Sequence, residues 1–146
     1  MADNKNFNFS NIKLGLAGID KQHKTILEDI SEILTSSSIE NSLFLKKIQK
    51  LKIIMFQHYT TEEIFMKNNS YIDYDKHKIE HDKLKNIIED LESKIADESI
   101  TLTDRYKLLE SLLRGLILQI HSQDKKMIDY LAHKYEDKLY HINNLR

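Results

Sequence analysis

Two pairs of metal-binding residue types recur at helical spacing in the middle of the chain: His58 with Glu62, and His77 with His81. Residues four apart on a helix lie on one face, one turn from each other. Between the pairs stands Asn68-Asn69-Ser70, whose side chains compete for backbone hydrogen bonds and favour a turn. A helical hairpin folded there puts the middle of each pair roughly 9 residues from the turn, about 14 Å away at 1.5 Å per residue. Three imidazoles and a carboxylate then converge at one level between two antiparallel helices, which is how metal sites are built inside helical bundles. A single His/Glu pair of this spacing also arises by chance on a solvated face, whereas two pairs in mirror register are far more specific. The chain has no cysteine, so a metal here must be held by His, Asp or Glu.

The elements that must position these residues are helices. Proline is absent and glycine occurs only at Gly15, Gly18 and Gly115, which leaves long stretches without an obligate breaker and predicts an all-α fold. The 146 residues are enough for one domain with a sizeable core, expected over 1–146. Charged residues make up 31%, apolar ones 40%, and the formal net charge is −1, so the balance points to neither a nucleic acid nor an anionic membrane as partner. The start Met-Ala-Asp-Asn-Lys-Asn-Phe lacks an apolar signal core, and no run approaches the roughly 20 apolar residues of a membrane span. A cytoplasmic location is the expectation.

Residues 1–18 read as an N-terminal arm carrying Phe7, Phe9, Ile12, Leu14 and Leu16 across the bundle. Helix one is expected at about Asp20 to Thr35, capped by Asp20, with an apolar stripe of Ile19, Ile26, Leu27, Ile30, Ile33 and Leu34. His23 lies on this stripe, where a lone histidine reads first as a core residue. Helix two runs from near Glu40 to Lys67, with Leu43, Leu45, Ile48, Leu51, Ile54, Met55 and Phe65 as its core face. Helix three, roughly Asp75 to Ala96, continues inward from His77 and His81 through Leu84, Ile88, Leu91 and Ile95. Helix four runs from about Asp104 and ends near Asp124. Reflecting the histidine level through the third connection lands close to residue 121, so Gln119, His121 and Asp124 are the groups able to meet the site. A short C-terminal helix at about 125–138 closes the chain, and its His133, like His141 beyond, lies past the reflected level.

Four antiparallel helices with short connections make an up-down-up-down bundle over about 19–124, and here the residues resemble the bacterial hemerythrins, a family for which that architecture is a standard example. The likeness rests on Gly18-Ile-Asp20-Lys-Gln22-His23, on His58-Tyr-Thr-Thr-Glu62-Glu63 with Met66, on His77 and His81, and on Asp124-Lys-Lys, and it covers about Ile12 to Tyr130. It implies two non-haem irons, with an oxo or hydroxo bridge, held by five histidines with a glutamate and an aspartate spanning the metals. By position His23 and His58 resemble the ligands of one iron, His77 and His81 two of the three histidines of the other, and Glu62 and Asp124 the bridges. The ligand chemistry agrees, because imidazole suits iron and anionic carboxylates offset the charge of two cations in a low-dielectric interior.

The family pattern places its fifth histidine five residues before the bridging aspartate, and this chain has Gln119 there. Three outcomes follow: Gln119 binds weakly through its amide oxygen, water fills the position, or a helix bulge brings His121 round. Two further residues turn an undistorted helix by about 200° and aim His121 away, and the weak or vacant position is preferred because Gln119 needs no backbone distortion. The resemblance implies binding of dioxygen or another small diatomic for storage, delivery or sensing, with no catalytic residue and an unidentified electron donor. Two alternatives compete with it: a diiron redox enzyme of oxidase, peroxidase or nitric-oxide chemistry, opened by the missing histidine, and a metal-free structural bundle. The last would bury six polar groups at a cost of roughly 1–3 kcal/mol for each one left unsatisfied.

Overall fold

The computed structural model describes the backbone of residues 17–36 and 38–144 and the surroundings of side chains in 18–36 and 38–134. The expected N-terminal arm falls outside the described residues, apart from Ala17 and Gly18, which belong to the first helix. That helix, α1, spans Ala17–Thr35; α2 spans Asn41–Asn68, α3 Tyr74–Ala96 and α4 Leu102–Gln119. Each is antiparallel to the next, and the adjacent pairs are α1 with α2, α2 with α3, α3 with α4, and α4 with α1, so the four close a square. The fold is an all-α four-helix bundle.

Asp20 sits within the first turn of α1, not at its cap, where its carboxylate still favours the positive end of the helix. Thr101 caps α4 by accepting from the Asp104 N–H at 3.1 Å. Ser70, in the left-handed region at φ 52°, reverses the chain after α2, and the Tyr71 N–H returns to the Met66 carbonyl at 3.0 Å.

Helix four does not end at Asp124. It passes through a π-helical turn, Ile120–Asp124, straight into α5, Lys125–Asn144. The Lys125 N–H bonds to the Ile120 carbonyl five residues back, the pattern that defines a π-turn. The core also differs from the expected one at Leu43, which is exposed, while Phe44 is buried. Arg105 from α4 accounts for this: its guanidinium lies 4.4 Å from the centre of the Phe44 ring and donates to the Ile39 carbonyl at 2.9 Å.

Two apolar clusters bracket the level of the histidines. The larger runs down the bundle and includes Met55, Tyr59, Ile88, Leu116 and Ile120. The smaller, with Ile19, Met66, Tyr71, Met127, Ile128 and Leu131, is formed where α5 packs over the α2–α3 turn. Lys126 to Asp73 at 2.6 Å and Lys134 to the Asn69 carbonyl at 2.6 Å hold α5 there. Among the described residues no helix is long and apolar enough to cross a membrane.

Candidate metal centre

Three helices of the square, and the π-turn that continues the fourth, send side chains to one level. His23 comes from α1, His58 and Glu62 from α2, His77 and His81 from α3, and Asp124 from the end of the π-turn, and all six are buried. They form two groups, His23/His58 and His77/His81, each completed by the same two carboxylates, with ligand atoms within 4.8 Å of one another.

The carboxylates are divided between the groups oxygen by oxygen. Glu62 Oε1 faces His23 Nε2 at 3.3 Å and is in close contact with His58 Nε2, while its Oε2 faces His77 Nε2 at 3.0 Å and His81 Nε2 at 3.2 Å. Asp124 repeats the pattern, with Oδ2 2.9 Å from His23 Nε2 and Oδ1 2.7 Å from His77 Nε2. Donor atoms about 2.1 Å from a shared cation and at right angles to each other stand roughly 3 Å apart. The observed spacings match that.

Without a cation the donors lean on one another: His77 Nε2 and Asp124 Oδ1 are 2.7 Å apart. Protons stand in for positive charge meanwhile. Burial pushes the His23 and His77 imidazoles down, but hydrogen bonds to Asp124 and Glu62 and the charges of both carboxylates outweigh it and raise each to about 9. Burial likewise pushes Glu62 up, and its charge interaction with His58, with hydrogen bonds from His23, His58 and His77, holds it well below the usual carboxylate range. A buried cluster that draws protons onto its imidazoles is one that calls for cations, so the donor set fits a pair of metal ions.

The sequence matches the hemerythrin HHE cation-binding domain over residues 14–131. The chain belongs to the hemerythrin family. It is 34% identical over 76 residues to a bacteriohemerythrin of Methylococcus capsulatus (strain ATCC 33009 / NCIMB 11132 / Bath), covering 51% of this chain and 58% of that protein. It is 26% identical over 88 residues to a myohemerythrin of Theromyzon tessulatum, covering 60% of this chain and 69% of the other. The alignment therefore spans under two thirds of the bacteriohemerythrin. No solved structure matches.

Against this hemerythrin frame the π-turn explains itself. In a regular α-helix Gln119 and Asp124 would point about 140° apart. Closing hydrogen bonds five residues back makes five residues little more than one turn, which brings the two positions towards one face, and both side chains are buried. The backbone is thus distorted directly after Gln119, against the expectation of a regular helix there, but the bulge does not bring His121 round; His121 is exposed. His133 is exposed as well, and the side chain of His141 lies outside the described residues.

Two partners of the histidines escaped the sequence reading. His58 Nδ1 meets Gln22 Oε1 at 2.8 Å, and His81 Nδ1 meets Glu63 Oε2 at 3.2 Å. An acceptor on Nδ1 fixes the proton there and leaves Nε2 free to face the cluster, the usual support for a metal-binding imidazole. Their signal was adjacency alone: Gln22 precedes His23 and Glu63 follows Glu62. Tyr59 was also missed as a neighbour of the site. Its ring stacks on His81 at 4.2 Å, and burial pushes its phenol well up, with Glu62 and Asp124 adding to the effect.

Proposed function

We propose that this hemerythrin holds two non-haem irons, one by His23, His58, Glu62 and Asp124 and the other by His77, His81, Glu62 and Asp124, and that it binds a small diatomic ligand, dioxygen first. The observation that carries this is the division of each carboxylate, one oxygen to each histidine pair. When bound, such a pair of irons supplies two electrons and an electrophilic position to a diatomic ligand.

The residues of the chain do the rest. Gln22 and Glu63 orient His58 and His81, so that the ligand geometry is set before any metal arrives. The apolar clusters above and below exclude bulk water, and Met66, Tyr71 and Met127 close the end nearest α5. Water exclusion strengthens electrostatic interactions within the site and suppresses hydrolytic side reactions. Imidazoles raised to about 9 must release protons as cations enter, so metal uptake is coupled to proton release.

A second reading, a diiron redox enzyme, is favoured by one observation: the buried Gln119 amide stands where the family pattern has a histidine, and its Nε2 has no partner. One experiment separates the two. Chain expressed in iron-rich medium is expected to contain about two irons, and the anaerobic ferrous protein is mixed with air and its visible spectrum followed. A spectrum that reverts when oxygen is removed supports ligand binding; rapid irreversible oxidation supports turnover. Iron content near zero in a fully helical protein would sink both.

A further inference from the structure

Two neutral hydrogen-bond donors beside the His77/His81 half of the cluster are buried and unpaired. The Tyr59 side chain is 1% exposed and its hydroxyl has no partner; Gln119 is 5% exposed and its Nε2 has none. The Tyr59 ring stacks on His81 with an interplanar angle of 30°. Gln119 precedes the π-turn that ends at Asp124, whose Oδ1 lies 2.7 Å from His77 Nε2 and whose Oδ2 lies 2.9 Å from His23 Nε2. The Tyr59 ring is nearer His81 than His58, at 5.6 Å, and Gln119 stands where the family pattern has the third histidine of this half, so both orphaned donors border it, and the dioxygen-binding reading uses neither.

A buried donor left unsatisfied is costly, and two in one place call for an acceptor. A neutral amide is also a weaker ligand than the imidazole it replaces, so it leaves this half less fully coordinated. Two divalent cations against two carboxylates leave the centre with excess positive charge, which favours an anion as the acceptor. We propose that Tyr59 and Gln119 line a second ligand position on the His77/His81 side, one that takes a small monoanion of the azide or nitrite kind and donates to it from the phenol and the amide. This rests on the diiron reading and adds to it a binding position of this chain's own making.

The probe is sodium azide, titrated into the iron-loaded, oxidised protein and followed by visible absorption and calorimetry. Gln119→His, Gln119→Leu and Tyr59→Phe are measured beside it, each checked for helicity and iron content. Two azides are expected per two-iron chain in the unmodified protein and one in Gln119→His, where an imidazole occupies the position. Tyr59→Phe and Gln119→Leu each remove one donor to an anion and are expected to weaken the second azide by about tenfold or more, leaving the first unchanged. A two-iron chain that takes a single azide overturns this proposal alone, as does a second azide that neither Tyr59→Phe nor Gln119→Leu weakens. A chain that binds no iron overturns the diiron reading as well.

Discussion

The metal-free protein is expected to lose stability as pH rises from about 6.5 to 9, the reverse of what a carboxylate-stabilised bundle does. His23 and His77 have folded-state values raised from 6.5 to about 9 by Asp124 and Glu62, against the opposing effect of burial. A raised imidazole stabilises the fold fully below its unfolded value and stops doing so once pH passes its folded value. At 1.36 kcal/mol per unit, each shift corresponds to about 3 kcal/mol. The two lean on the same carboxylates and are not additive, so the expected loss between pH 6 and pH 10 is about 3–5 kcal/mol. For a chain of this size that is a fall in Tm of roughly 6–20 °C. Urea unfolding of chelator-treated protein, followed by circular dichroism at each pH, measures it. Metal loading should abolish the loss, because cations then replace the two protons, and an indicator dye at pH 7 to 8 should register their release. A metal-free stability that is flat or rises across this window would refute the account of the cluster as one held together by protons on His23 and His77. At the acid end Glu62 acts with the opposite sign: its lowered value contributes stability above the ordinary carboxylate range that fades as pH falls through it.

Three further outcomes are expected. Glu62→Ala should strip metal from both halves of the site, since its two oxygens face different histidine pairs, whereas the exposed His133→Ala should retain the full complement on metal analysis; equal retention by both would show the register to be wrong. Glu63→Ala, which frees the His81 ring, should lower metal affinity by roughly 10–100-fold in competition with a chelator while leaving helicity intact. Deleting Ser122, an exposed residue of the π-turn, should restore a regular α-helix in which Gln119 and Asp124 stand four apart and still share a face, so metal content should survive the deletion; its loss would show that the bulge sets more than that alignment.

Much of the site could be counted from the sequence because a helix turns local spacing into a direction and a height. His58 with Glu62 and His77 with His81 needed only the four-residue rule and a turn midway, and Asp124 needed one more reflection. His23 could be placed on an inward face by the same rule, but an inward histidine has no address beyond its own helix; the family motif assigned it a role, and the bundle brought it within 2.9 Å of Asp124. Packing decided what counting could not. Whether residues 119 to 124 close hydrogen bonds four or five back changes the direction of everything after them by the angle of one residue. That choice depends on α5 docking over the α2–α3 turn through Lys126, Lys134 and the Met127 cluster. Phe44 was passed over for Leu43 for the same kind of reason, since the Arg105 guanidinium that covers it arrives from a helix sixty residues away. The division of each carboxylate between two histidine pairs is likewise a property of four helices meeting at one height, where side chains remote along the chain share a single desolvated space.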